Sequence, residues 1–218
     1  LGLLADAFGF ENLFMSLWKT RERIMDAMEY TTGGRVMLGS CCIGGVRKDI
    51  NPEQKKFVLD QLATVEKELK SLSHVLLDDY SVKQRLVGVG VMNRKTAYES
   101  GAVGPTARGS GLEMDHRMTG YCAYGELAFQ PVVEQDGDCY SRTKVRVREL
   151  SQSIDLVRTA LDRMPDSELK TPFKGNPDGE VAVRAEQPRG EVLYYLKANG
   201  TDKLERLRVR TPTFANVA

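Results

Sequence analysis

The chain has 218 residues, with 31 basic against 30 acidic side chains, a formal net charge of +1 and 41% hydrophobic residues. That length supports one sizeable core, or a main domain with an appendage. The near-neutral balance argues against nucleic acid or an anionic membrane surface as the main partner, since both select a basic excess. No run approaches the ~18 uncharged apolar residues of a bilayer span.

Leu1 to Phe8 lacks an initiator Met and a basic region, so it is not read as a signal peptide. It resembles the last two turns of a helix, and the end at Thr211–Ala218 also breaks off, so the expectation is an internal piece of a longer protein. Residues 12–32 predict an amphipathic helix with Leu13, Leu17, Ile24 and Met28 as the apolar stripe, stopped by Thr32-Gly33-Gly34. Val36-Met37-Leu38 is a short strand-like piece ahead of Ile43-Gly44-Gly45-Val46-Arg47. Asn51-Pro52-Glu53 is a strong helix start, with Asn as N-cap and Pro at the first position. That helix is expected to run to about Leu77, with Phe57, Leu62, Val65, Leu69 and Leu72 facing inward.

From Asp78 to Gly125 the pattern is choppier, with a short helix over Arg94–Ser100 and a loop holding Gly101, Gly104, Gly109 and Gly111. A third long helix is expected from near Asp138 to Met164, with Val145, Val147, Leu150, Ile154, Val157 and Leu161 inward. After Pro165, residues 180–186, 192–196 and 204–210 alternate as strands, with Asn199-Gly200 as the turn between the last two. The fold class expected is mainly α with a small antiparallel β element: a helical body over 1–165 and a β region over 166–218.

The chemistry-bearing candidates are few. Gly44-Gly45 permits close backbone approach, and Arg47 beside it is either a cation projecting into a cavity or a surface residue on a tight connection. Arg108, within Gly104–Gly111, is a lining cation or part of a plain structured loop. His116, between Asp115 and Arg117, is a packing residue or a proton carrier. In Glu186-Gln187-Pro188-Arg189-Gly190, proline removes a ladder donor and glycine frees the backbone. The motif therefore reads as a bend that aims Arg189, with Glu186 able to pair with it, or as a solvated hairpin corner. Cys41, Cys42, Cys122 and Cys139 form no C-x-x-C pair and no zinc spacing, which fits buried thiols in a reducing compartment.

Taken together, these segments resemble the large catalytic subunit shared by nickel–iron hydrogenases and the quinone-reducing module of respiratory complex I. Residues 10–50 resemble the helix that runs into "GGVR-D"; Gly104–Gly111 and Tyr121-Cys-Ala-Tyr124 resemble "GP-x-x-R-x-SG … PY-x-x-Y". Asp136–Arg142 resembles "GD-x-Y-x-R", and Thr211-Pro-Thr-Phe214 resembles "R-x-P-x-[FY]". Cys41–Asp49 and Tyr194–Gly200 look most like the membrane-bound, energy-converting hydrogenases.

The resemblance implies that Pro188 and Arg189 lie beside the diatomic ligands of iron, with Arg189 donating hydrogen bonds and Glu186 joining them as a catalytic residue. It makes Gly44, Gly45, Arg47, Arg108 and His116 cavity-lining. Arg at 189, where the complex I form commonly has Lys, leans toward hydrogenase, while Gln187 departs from the usual Ala. The family holds its nickel and iron on two C-x-x-C motifs, neither of which is here. The resemblance therefore implies a NiFe centre in the full-length protein, with ligand cysteines outside this chain and none bound to the piece alone. It further implies an iron–sulfur small subunit and membrane subunits as partners, and a peripheral place on the cytoplasmic face of the membrane. The alternatives are a quinone-reducing subunit without metal, or a non-catalytic docking scaffold.

Overall fold

The computed structural model describes residues 1–217. It is about 49% helix and 15% strand, which is the mainly α fold with a small antiparallel sheet that the patterning predicts. The chain forms two compact units, residues 1–82 with 151–173 and residues 83–150 with 174–218.

The first unit begins with α1 (Gly2–Ala7) and α2 (Glu11–Thr32), which Gly33 ends in the left-handed conformation at φ +87°. A two-residue hairpin follows, β1 (Cys41–Cys42) and β2 (Gly45–Val46), and then α3 (Pro52–Asp78). Asn51 caps α3 reciprocally: its side chain accepts from Gln54 N–H at 2.8 Å, and Gln54 Oε1 accepts from Asn51 N–H at 3.1 Å. The core of this unit joins Leu62 and Val65 of α3 to Ile154, with Ile24, Val58 and Leu69 packed against them. Glu68 ties α2 to α3 by accepting from Thr20 at 2.7 Å and Arg23 at 3.0 Å.

The predicted strand-like piece at Val36–Leu38 is not a strand; Val36 and Met37 are 77% and 90% exposed. A strand needs a partner, and the pairing goes to the glycine-bearing residues just beyond.

The second unit carries the end of α4 (Tyr80–Leu86), then α5 (Arg94–Glu99), α6 (Pro105–Gly109), a 3-10 turn at His116–Thr119 and the first half of α7 (Cys139–Arg163). Ala97, Ala102 and Ala107 pack with Leu112 and Met92, small side chains that let α5 and α6 approach closely. Asp138 caps α7: it accepts from Ser141 N–H at 2.7 Å and from Gly88 N–H, fifty residues earlier, at 2.8 Å. On α7, Val147, Ile154 and Leu161 share one buried face and Val145 is buried on another, while Leu150 and Val157 are each about 40% exposed. The apolar stripe on this helix is narrower than its sequence period suggests.

The sheet consists of β3 (Asp178–Gln187), β4 (Gly190–Asn199) and β5 (Leu204–Arg210), all antiparallel, with Asp178 opposite Asn199 and Gln187 opposite Gly190. Pro188 and Arg189 are thus the two-residue loop between β3 and β4. One face of the sheet is apolar, with Val181, Leu196 and Leu207 in one row and Val183, Tyr194 and Val209 in the next. After β5 comes the single-turn α8 (Pro212–Ala215), whose N-cap Thr211 accepts from Thr213 N–H at 3.0 Å.

Candidate functional site

The β3–β4 turn is fixed from three directions, all within the second unit. The first is close backbone contact. Gly104 (φ +66°) and Gly190 (φ +130°) press together so tightly that a Cβ on Gly104 would fall 2.4 Å from Gly190 Cα and 2.6 Å from the Arg189 carbonyl oxygen. Both glycines are required by sterics and by their positive φ.

The second direction is Asn216, just past α8. Its Oδ1 accepts from Val103 N–H at 3.0 Å, and its Nδ2 donates to the Arg189 carbonyl at 2.9 Å.

The third is an ion cluster that begins at Glu186. The Arg108 side chain is 1% exposed and reaches Asp115 at 2.9 Å, Glu149 at 2.8 Å and Glu186 at 2.9 Å. Its Nη1 also donates to the Met114 carbonyl at 3.1 Å. Arg117 grips Asp115 with two hydrogen bonds, 2.9 and 2.6 Å. The second Glu186 oxygen accepts from His116 N–H at 3.1 Å, and Glu186 N–H donates to the Tyr121 hydroxyl at 3.0 Å. Burial pushes the Glu149 carboxyl above its ordinary value against the pull of Arg108 and Arg117. Burial likewise raises the Tyr121 phenol, which the Glu186 N–H partly offsets. Arg146, depressed by burial and by Arg142 and Arg108 nearby, is a third guanidinium in the field of Glu149.

The cluster is therefore a scaffold of buried charges. Removing one partner of such a set leaves others uncompensated in low dielectric, which costs about 3–5 kcal/mol. Glu186 pairs with Arg108 and not with Arg189, because the β3 register turns its side chain inward while residue 189 sits at the loop tip. Arg189 is exposed, and its side chain makes no hydrogen bond or ion pair among the described residues. An always-charged guanidinium with five donors is thus presented on a rigid turn with nothing consuming its donors. Pro188, also exposed, fixes the turn before it.

His116 is half-buried, its ring 5.2 Å from that of Tyr121 and its Nδ1 3.8 Å from Glu191 Oε2. Glu191 in turn holds Arg210 of β5. The structure thus brings Arg108, His116 and Glu186 into one cluster, with Pro188 and Arg189 on the turn it supports.

Gly44, Gly45 and Arg47 belong to the first unit. Ile43 and Gly44 form the loop of the β1–β2 hairpin, where Gly44 has φ +90°, as the second central position of a type II turn requires. Residues 44–46 lie along 169–171: Val46 N–H donates to the Leu169 carbonyl at 2.9 Å, and Thr171 N–H donates to Gly44 O at 3.0 Å. A Cβ on Gly45 would fall 2.1 Å from Leu169 O, and one on Gly44 would fall 2.3 Å from Thr171 O. Arg47 is exposed.

Sequence reading missed Glu149 and Asn216 altogether. Glu149 sits on a helix face with the spacing of any solvated acid, and Asn216 follows a four-residue helix with no periodic signal. All four cysteines are free thiols, and Cys41 and Cys122 are exposed, which departs from the expected burial.

The sequence profile described as "Respiratory-chain NADH dehydrogenase, 49 Kd subunit" matches residues 8–175 and 169–218. The "Membrane-bound hydrogenase subunit alpha" of Pyrococcus furiosus is 39% identical over 100% of this chain and 55% of its own length. The "Carbon monoxide-induced hydrogenase" of Rhodospirillum rubrum is 37% identical over 99% of this chain and 61% of its own. An NADH-quinone oxidoreductase subunit of Thermosipho melanesiensis is 34% identical over 91% of this chain and 57% of its own. The chain thus spans somewhat over half the length of each of these three relatives. With a clamped turn at 186–190 and glycine contacts at 44–45 that account for the motifs, the chain belongs to the family of the respiratory-chain NADH dehydrogenase 49 Kd subunit.

Proposed function

We propose that this chain is part of the large subunit of a nickel–iron hydrogenase that turns over hydrogen and exchanges electrons with an iron–sulfur partner subunit. The observation that carries the reading is Arg189: a cation at the tip of a turn whose backbone is clamped by Gly104, Asn216 and the Glu186 cluster, its side chain making no hydrogen bond or ion pair among the described residues. Identities of 39% and 37% to two proteins named as hydrogenases, against 34% to a quinone oxidoreductase subunit, lean the same way.

Within this reading the chain's residues act by position and charge. The turn fixes the backbone that carries Arg189, so the guanidinium reaches a reacting group from a set origin. Arg189 stays protonated and so acts as a hydrogen-bond donor and electrostatic partner. Glu186, committed to Arg108 and His116 N–H, holds the turn.

The thiolate donors that a NiFe centre requires do not fit this chain. Its cysteines form no C-x-x-C pair, and among the described residues no group of three or more His, Cys, Asp and Glu side chains is placed to hold a metal ion. Such a centre, in the whole protein, would take its ligands from outside these residues. No helix among the described residues is long and apolar enough to cross a membrane. A peripheral position on the cytoplasmic face, beside membrane subunits, accompanies the proposal.

The test is the nickel and iron content of the full-length, natively matured protein. About one nickel per chain is expected if the thiolate site is complete. Absence of nickel, from cells able to mature such enzymes, overturns the hydrogenase reading. It would favour the second, a quinone-reducing subunit, for which the 34% relative is the supporting observation.

A further inference from the structure

We propose that Asn216 is a positioning residue for Arg189, an inference that rests on the reading of Arg189 as a site residue. Asn216 makes two hydrogen bonds that no single-function side chain can make together. Its carbonyl end accepts from Val103 N–H at 3.0 Å, and its amino end donates to the Arg189 carbonyl at 2.9 Å.

Val103 precedes Gly104 and Arg189 precedes Gly190, the two glycines in closest backbone contact; the Gly104 amide nitrogen lies 2.8 Å from where a Gly190 Cβ would be. The amide therefore staples the two backbone segments of a contact to which only the Val103 side chain adds, lying 2.7 Å from where a Gly190 Cβ would be. It also satisfies a backbone acceptor at the loop tip, where Pro188 leaves the turn one N–H short.

Asn216 is itself placed by elements the sequence specifies. Arg210 ends β5 on Glu191, donating to its carbonyl oxygen at 2.8 Å, and Thr211 with Pro212 then starts the single turn of α8. The last residue of that turn hands the chain to Asn216. Without the amide, the Arg189 carbonyl loses its side-chain donor, and the guanidinium it carries swings on a looser hinge. Rate depends steeply on such placement, so the effect on turnover exceeds the effect on folding.

The test uses the full-length, matured protein with Asn216→Ala and the isosteric Asn216→Asp, each alone and in an Arg189→Ala background. Each Asn216 variant alone is expected to lose about tenfold in hydrogen turnover, and less than about twofold more where Arg189 is already gone. Equal losses in both backgrounds, or no loss from either single variant, overturn the positioning role while leaving the site reading intact. Full turnover in Arg189→Ala instead overturns the site reading and the positioning role with it.

Amide hydrogen exchange supplies a readout independent of turnover. Exchange at Val103 is expected to speed up in Asn216→Ala and to stay slow in Asn216→Asp, which keeps the acceptor. Unchanged protection in Asn216→Ala overturns the clamp whatever the turnover.

Discussion

Two turns in this molecule share a recipe of glycine pressed on backbone with an arginine nearby, yet they are held differently. At 43–47, Gly44 and Gly45 lie along residues 169–171 through main-chain hydrogen bonds alone, and Arg47 extends from an exposed hairpin. At 186–190, the glycine contact is reinforced by an Asn216 amide on one side and a buried ion cluster on the other. Glycine creates the possibility of close approach, and the added side chains anchor the turn beyond it. A motif of Gly and Arg in sequence does not distinguish the two.

The largest test of this contrast is Arg108→Gln, which leaves Asp115, Glu149 and Glu186 without their shared cation. It should cost about 3–5 kcal/mol in denaturant unfolding, whereas Arg47→Gln on the exposed hairpin should stay within about 0.5 kcal/mol. Equal costs would erase the contrast.

Next are the glycines themselves. Gly45→Ala and Gly104→Ala both drive a Cβ onto backbone, at 2.1 Å and 2.4 Å, and each should lose about 1–3 kcal/mol. Turnover should fall in addition for Gly104→Ala, read as kcat at matched fractions folded. Arg189→Lys sharpens the contrast from the other end. Unfolding should shift by less than about 0.5 kcal/mol, since the exposed side chain makes no hydrogen bond or ion pair among the described residues, while hydrogen turnover drops by about tenfold or more. A stability loss with intact turnover would make Arg189 a structural residue.

The smallest effect is a pH dependence with opposite signs on one helix. Burial raises the folded-state value of Glu149 above its ordinary 4.5, so its contribution to stability is present below the unfolded value and lost as pH rises through the raised one. Asp138 is the reverse. Burial opposes its ionisation, but hydrogen bonds from Gly88 and Ser141 hold it below its ordinary 3.8, so its contribution is present above that value and lost as pH falls through the lowered one. Glu149→Gln should flatten the decline of the unfolding midpoint above about pH 4.5 and leave the acid limb unchanged. An unchanged profile above that pH would remove Glu149 as its source.

What the sequence discloses follows from how local each cause is. α2, α3 and α7 are legible because apolar residues recur at helical spacing, and α3 is sharply so because Asn51-Pro52 marks its start within three residues. The β3–β4–β5 sheet is legible from alternation and from Asn199-Gly200, where Gly200 has φ +78°. α6 is not, since a five-residue helix that begins with Pro105 and ends in Gly109 is made by its contacts, not its propensities. The 186–190 motif is legible as the turn between two strands; its anchors are not. Arg108 and Glu186 stand 78 residues apart and Val103 and Asn216 stand 113 apart, distances over which no period or spacing carries a signal.

The Arg108 cluster also constrains how this chain can change over generations. Asp115, Glu149 and Glu186 all pair with Arg108, and Asp115 also with Arg117, so replacing Arg108 alone passes through a state with bare carboxylates in the interior. A fully apolar version of the same space can be just as stable, but several simultaneous replacements separate the two. Drift at these positions is therefore blocked by the steps between solutions and not by the worth of the present one. The cluster should change as a block or stay as it is, whatever becomes of the turn it supports.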